Sequence, residues 1–262
     1  MTALNEIKCF LLDMDGTVYL GNELIGGADE FLKKLGRQKK RYIFITNNSS
    51  KNGAAYVKKL NGLGISAELD DVFTSGEAAA IYLNKVKPGA KIFLLGTAEL
   101  KEEFAQAGFR IIKKGQTPDL VVLGFDTGLT YKKLWAACDH IREGVPYYAT
   151  HPDLNCPIEG GKYMPDTGAM IAFIKAATGA NPVVVGKPNG HIVEALLGKY
   201  GLKKEEIAIV GDRLYTDIKT GADFGITSVL VLTGETSSAM SKRTKIKSDY
   251  VFGSIADMIP YI

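Results

Sequence analysis

The sequence places two carboxylates two residues apart, in Asp13-Met14-Asp15-Gly16-Thr17-Val18, directly after the apolar run Cys9–Leu12. An extended strand would send Asp13 and Asp15 to opposite faces, so the turn begun at Asp15-Gly16 has to bring both toward one ligand. One carboxylate can then attack phosphorus while the other protonates the leaving oxygen. On its own the segment reads as readily as a plain Asp-Gly turn.

Three further clusters offer complementary chemistry. Thr46-Asn47-Asn48-Ser49-Ser50 combines a hydroxyl, amide side chains and main-chain N–H groups that can hold phosphate oxygens just ahead of a helix. By itself it reads better as an N-cap for a helix beginning near Lys51. Lys187 stands in Val183-Val184-Val185-Gly186-Lys187-Pro188, where the proline keeps it out of helical dihedrals and lets its ammonium point across strand ends. A lone loop lysine is otherwise ordinarily solvated. Gly211-Asp212 follows the run 207–210, and Asp217 comes five residues later, near a helix start. Hard carboxylate oxygens at that spacing suit magnesium, which takes few protein ligands and keeps several waters. Acidic residues also favour first helical turns, which is the simpler reading.

Charge ties the four clusters together. Asp13, Asp15, Asp212 and Asp217 would surround a phosphate that is itself doubly negative. At roughly 4 Å and an effective dielectric near 20, each like-charge pair costs about 4 kcal/mol. Such a site requires cations. A divalent magnesium and Lys187 supply them, and both stabilise charge in the transition state.

The elements that must position these groups are short apolar runs alternating with amphipathic stretches. Cys9–Leu12 is followed by Phe31, Leu32 and Leu35 at helical spacing, then by the run 42–45 and a helical stretch with Tyr56, Val57 and Leu60. Toward the C-terminus the runs 183–185, 207–210 and 229–232 alternate with helices over about 191–200 and 215–224. This alternation predicts an α/β fold with a parallel sheet and crossover helices. Its strands are continuously apolar because both faces are covered. Asp13, Thr46, Lys187 and Asp212 each come at or just after the end of a predicted core strand, where open α/β sheets bind ligands. The middle of the chain, about 77–181, has its own strands (92–95, Leu120–Leu123, 146–149) and helices (about 99–107 and 131–143). That is enough for an inserted domain.

Bulk properties narrow the function classes. With 262 residues, 46% hydrophobic and 23% charged, the chain can bury a core without disulfides. Net charge is +3, and its basic stretches, around Lys33 to Arg41 and at 242–247, lack the interleaved aromatics of a single-strand binder, so no nucleic-acid partner is expected. Cys9, Cys138 and Cys156 form no Cys-x-x-Cys pair, which argues against a disulfide framework or structural zinc and fits a reducing cytoplasm. The N-terminal residues from Met1 lack a signal-peptide pattern, and no apolar run is long enough for a bilayer, so no membrane partner is expected.

With these motifs in this order, the chain resembles the haloacid dehalogenase (HAD) superfamily over nearly its whole length, specifically the NagD-like, p-nitrophenyl phosphatase branch. The resemblance rests on Asp13-Met14-Asp15-Gly16-Thr17, Thr46-Asn47-Asn48, Lys187-Pro188, and Gly211-Asp212 with Asp217. It implies an α/β Rossmann-like core, residues 1–77 and 182–262, with an inserted α/β cap of the C2 type, residues 78–181, that selects the substrate. It implies that Asp13 becomes phosphorylated and that Asp15 is general acid, then base. Mg2+ would be bound by Asp13, the main-chain carbonyl of Asp15 and Asp212, with Asp217 orienting a metal-bound water or a neighbouring group. Thr46, Asn47 and Lys187, with Asn48 alongside, would hold the phosphate. Asp15 favours phosphate esters, since dehalogenase relatives lack a second aspartate there. The implied substrates are small phosphomonoesters, including p-nitrophenyl phosphate, sugar phosphates and nucleoside monophosphates. The implied state is monomer or homodimer.

Ala149-Thr150-His151-Pro152-Asp153 departs from the family pattern, which often has asparagine where His151 stands. The resemblance places this loop near the site, so His151 and Asp153 are expected to bind substrate and influence its choice; the alternative is a surface-loop histidine. The loop 154–164 leads into Pro165-Asp166-Thr167-Gly168-Ala169, which the same expectation places toward the leaving group. His140 and His191 lie on predicted helices and read as structural. Hinges are expected near Ser75-Gly76 and Ala180-Asn181-Pro182. Receiver domains share the acidic strand end but are about half this length and have no inserted domain. A dinucleotide-binding dehydrogenase would need Gly-x-Gly-x-x-Gly after the first strand, and a P-loop would need Ser or Thr where Pro188 stands.

Overall fold

Cys9–Leu12 is buried along its whole length and runs parallel between Ile207–Gly211 and Arg41–Thr46. In this computed structural model it is part of a six-stranded sheet ordered Tyr250–Phe252, Thr227–Val231, Ile207–Gly211, Cys9–Leu12, Arg41–Thr46, Val72–Thr74. The structure describes residues 2–113, 115–158 and 161–262. Met1 of the N-terminal reading, Lys114, and Glu159 and Gly160 of the loop 154–164 lie outside the described residues.

The chain leaves Cys9–Leu12 toward one edge, through Arg41–Thr46 to Val72–Thr74, and later resumes on the other side at Ile207–Gly211. The order reverses beside Cys9–Leu12, and such a switch point opens a crevice at the carboxyl ends of the strands. Asp13, Thr46 and Asp212 stand at the carboxyl ends of three neighbouring strands. The Asp13 N–H donates to Val210 O at 2.9 Å, carrying the ladder one residue past the strand.

The residues up to Thr46, Tyr56–Phe73 and Leu196–Ile262 form one compact unit. Ala28, Phe31, Leu32 and Leu35 make the buried face of the helix Ala28–Arg37, at the spacing an amphipathic helix requires. They share a core with Phe10, Leu12, Phe44 and Val210, and the Phe10 and Phe31 rings meet edge to face at 5.8 Å. Basic side chains at and just beyond the end of that helix are tied to main-chain carbonyls: Lys34 Nζ donates to Ile259 O at 2.5 Å and Lys40 Nζ to Asn5 O at 2.6 Å. The helix expected over 215–224 is a π-helical turn, Leu214–Ile218, followed by a helix Lys219–Phe224.

Asn47–Ala55 and Thr74–Ala195 form the second unit. Its five parallel strands are ordered Val183–Val184, Tyr147–Ala149, Leu120–Leu123, Lys91–Leu95, Arg110–Ile111. Phe93, Leu95, Val121 and Leu123 pack with Cys138 and Ile141 of the helix Tyr131–Arg142 and with Met170 and Ile174 of the helix Thr167–Thr178. The segment 78–181 lies wholly within this unit, which also takes in 47–55, 74–77 and 182–195. Val183–Val184 was expected in the core sheet but pairs with Tyr148 and Ala149 at the edge of this one, leaving Val183 41% exposed. An apolar triplet reports burial and does not say which of two sheets it joins. The helix expected near Lys51 begins at Gly53, with Asn52 Oδ1 accepting the Ala55 N–H at 3.0 Å. Among the described residues, no helix is long and apolar enough to cross a membrane.

Candidate active site

In the first unit, Asp13, Asp212 and Asp217 each offer a carboxylate oxygen, all within 4.8 Å of one another. Asp212 and Asp217 are buried, while Asp13 is half-buried. Asp217 Oδ2 accepts from the Arg213 N–H at 3.3 Å and from Thr216 Oγ1 at 3.4 Å. Asp212 Oδ2 accepts the Glu235 N–H at 2.6 Å, whereas its Oδ1 is buried with no hydrogen-bond partner among the described residues. Burial, and then the charge of Asp217, push the Asp212 carboxyl up to about 6. A buried carboxylate oxygen without a donor, beside two more carboxylates, is costly unless a cation completes the group. Three hard oxygens suit magnesium, so these residues fit the expected ion.

Close approach shapes the turn that follows Asp13. Gly16 has φ 86°, and a Cβ there would lie 2.6 Å from Asp212 Oδ2. Both the dihedral and the space demand glycine. The Gly16 N–H donates to Tyr19 O at 2.8 Å and the Val18 N–H to Met14 O at 2.9 Å. This tight turn leaves the Asp15 side chain 42% exposed. Tyr19 OH donates to Asp15 Oδ2 at 3.4 Å, and Lys59 Nζ lies 3.9 Å from Asp15 Oδ1 and 3.8 Å from the Tyr19 ring centre. Burial, followed by the Asp15 charge, pushes the Tyr19 phenol upward, so it remains a donor. Tyr19 and Lys59 escaped the sequence reading; nothing in the spacing of Lys59 marks it as a neighbour of Asp15. Thr46 is buried at the end of its strand.

The second unit gathers Asn47, Asp153 and Lys187, all buried. Asn47 Nδ2 donates to Asp153 Oδ1 at 3.0 Å and to Lys187 O at 2.9 Å, and Asn47 Oδ1 accepts the Lys187 N–H at 2.9 Å. Both amide hydrogens of Asn47 are thus committed inside the unit. Any donation from Asn47 to a phosphate would have to come from its main chain. Asn48 Oδ1 accepts from the Ser50 N–H at 2.9 Å and Ser50 Oγ at 2.7 Å, closing a local turn.

His151 is fully buried, which removes the surface-loop alternative. Its Nε2 pairs with Asp166 Oδ1 at 2.9 Å, and its Nδ1 with Thr150 Oγ1 at 2.9 Å. Thr150 Oγ1 in turn meets Ser49 Oγ at 2.9 Å, and Ser49 Oγ accepts the Phe125 N–H at 3.0 Å. Asp166 also caps the helix Thr167–Thr178. The position of Asp166 before Thr167-Gly168-Ala169 carried that capping signal, but not its pairing with His151. His140 packs on Phe93 at 5.1 Å and His191 on Tyr82 at 4.3 Å, as structural residues do.

Residues 10–110 match the haloacid dehalogenase-like hydrolase family, and residues 184–258 a HAD-hydrolase-like family. An acid sugar phosphatase of Staphylococcus saprophyticus is 34% identical over 256 residues, 98% of each chain. The crystal structure of a 4-nitrophenylphosphatase from Thermotoga maritima superposes with a TM-score of 0.95 at 46% identity, covering 99% of each chain. A glycerol phosphate phosphatase from Mycobacterium tuberculosis, solved in complex with magnesium, superposes with a TM-score of 0.89 at 32% identity, covering 97% of this chain and 77% of that one. The chain belongs to the haloacid dehalogenase-like hydrolases, within their NagD-like, 4-nitrophenylphosphatase-type branch.

Proposed function

We propose that this phosphatase hydrolyses small phosphomonoesters through a phosphoaspartate on Asp13, with magnesium as cofactor. The observation that carries the reading is the trio Asp13, Asp212 and Asp217, with Asp212 Oδ1 buried and without a hydrogen-bond partner among the described residues. The residues that would hold magnesium are Asp13, the main-chain carbonyl of Asp15 and Asp212, with Asp217 behind them. When bound, the ion supplies Lewis-acid stabilisation of charge on the phosphoryl oxygens.

An Asp13 oxygen attacks phosphorus, forming an O–P bond as the ester O–P bond breaks. Asp15 gives its proton to the departing oxygen. Asp15 then takes a proton from water as that water attacks phosphorus, which releases phosphate and restores the Asp13 carboxylate. The exposure of the Asp15 side chain leaves it open to a leaving group and to water. Thr46 and Lys187 serve the phosphoryl oxygens, and Asn47 and Asn48 serve through their main chains. Residues 78–181 act as the cap that chooses the ester, hinged near Ser75-Gly76 and Ala180-Asn181-Pro182, in a cytoplasmic monomer or homodimer.

The relatives named for acid sugar, glycerol phosphate and nitrophenyl phosphate chemistry set the test panel. Hydrolysis of p-nitrophenyl phosphate, sugar phosphates and glycerol 3-phosphate should proceed with magnesium and stop with EDTA. Turnover that persists in EDTA, or a folded protein inert across the panel, would contradict the reading.

A further inference from the structure

The buried polar cluster of the second unit is organised around the main chain of Lys187. The parallel ladder between Val183–Val184 and Tyr147–Ala149 continues as the Val185 N–H donates to Ala149 O at 3.0 Å and the Gly186 N–H to Thr150 O at 2.7 Å. At Lys187 a side chain takes over from the strand. The Asn47 amide pairs with both the N–H and the carbonyl of Lys187, as a neighbouring strand would. The fit is close: a Cβ on Gly186 would stand 2.8 Å from Asn47 Oδ1.

An asparagine amide has nearly the same shape when its oxygen and nitrogen are exchanged, and only its partners fix which way it points. Reversed, Asn47 would set oxygen against Lys187 O and N–H against the Lys187 N–H. The Lys187 main chain disfavours that reversal, and Asp153 holds the same orientation from the other side of the amide. An ionised carboxylate only accepts, and its Oδ1 takes the second hydrogen of Asn47 Nδ2 at 3.0 Å. Asp153 is itself held, because the Gly168 N–H donates to its carbonyl at 2.7 Å at the start of the helix Thr167–Thr178.

We propose that Asp153 is a positioning residue: through Asn47 it fixes the main chain that carries Lys187, and so governs the rate of turnover rather than the choice of ester. This rests on the reading of Lys187 as the cation that serves the phosphoryl group, and it replaces the expectation that Asp153 binds substrate.

The test uses steady-state kinetics of the full chain on p-nitrophenyl phosphate and one sugar phosphate, with thermal melts for folding. Asp153→Ala should lower kcat about 10²-fold, the scale of a small misplacement of a reacting group. KM should stay nearly unchanged, and the loss should be the same for both esters. Asp153→Asn keeps an acceptor oxygen and should recover most of kcat. Asn47→Asp sets two acceptors face to face and should lower kcat; adding Asp153→Asn restores a donor and should return part of it. This pair decides the matter should Asp153→Ala fail to fold. Losses that differ between the two esters, no recovery in Asp153→Asn, or no rescue in the pair would each overturn the proposal. Lys187→Ala separates the levels: if it collapses kcat while Asp153→Ala does not, only the positioning role fails. If Lys187→Ala stays within about tenfold of wild type, below the cost of losing one transition-state donor, the role of Lys187 fails, and the positioning role with it.

Discussion

Removing one charge from the acidic trio should stabilise the metal-free protein while abolishing its activity. Asp212 is the residue to change, since its carboxyl is buried, receives one main-chain hydrogen bond and is pushed from an ordinary 3.8 to about 6. A carboxyl whose folded value lies above its unfolded one binds its proton more tightly when folded. The folded state therefore loses stability as pH rises from about 4 through about 6, and the full penalty stands at neutral pH. A gap of about 2 pH units corresponds to about 3 kcal/mol. For a chain of this size 1 kcal/mol moves Tm by about 2–4 °C, so Asp212→Asn in EDTA at pH 7 should raise Tm by about 6–12 °C. Its amide oxygen can still accept the Glu235 N–H, so no hydrogen bond need be lost. At pH 5 the wild-type carboxyl is largely protonated and the gain should shrink. Magnesium should raise Tm of the wild type at pH 7 and leave the variant nearly unchanged. Melts by circular dichroism across this grid check the account. A variant that melts below wild type in EDTA at pH 7, or an offset independent of pH, would refute the reasoning.

Lys187→Ala should lose roughly 10²–10³-fold in kcat, the cost of one preorganised transition-state donor, read from steady-state hydrolysis of p-nitrophenyl phosphate. Asp15→Asn should cost a sugar phosphate more than p-nitrophenyl phosphate, because an alkoxide leaving group needs its proton and a nitrophenolate barely does; general-acid contributions of about 10²–10⁴-fold set the scale. Gly16→Ala should abolish magnesium-dependent turnover, since the added carbon strains a φ of 86° and collides with Asp212; retained activity would show that the turn can move. Gly186→Ala should lower kcat, because the added carbon would stand 2.6 Å from Thr150 O and 2.8 Å from Asn47 Oδ1 and so shift the main chain that leads into Lys187; unchanged kcat would show that the segment can adjust.

The acidic trio was legible because parallel strands place their carboxyl ends on one side. The sequence places Asp13 and Asp212 at strand ends; that they meet follows from the pairing of Cys9–Leu12 with Ile207–Gly211, which the structure supplies. Asp217 follows through the π-helical turn, which sequence spacing approximated as a helix. The assignment of 183–185 to the wrong sheet shows the limit of that logic, since periodicity carries no information about which strands pair. The second unit's polar cluster was less legible still. Asn47 reaches Asp153 across 106 residues and Lys187 across 140, distances at which no local pattern operates. Its residue types pointed to phosphate binding, and only the hydrogen bonds show that the Asn47 amide is already occupied. For His151 the departure from the family pattern drew notice, but its burial against Asp166 depends on packing that no sequence window contains.

The central claim is that phosphate resides covalently on Asp13 during turnover. The direct test is rapid acid quench of the magnesium-loaded protein turning over p-nitrophenyl phosphate, followed by mass spectrometry of its peptides. A phosphate mass on the peptide carrying Asp13, localised to Asp13 and absent from Asp13→Asn, is the predicted result. Phosphate on any other residue, or rapid hydrolysis that continues in Asp13→Asn, would contradict it.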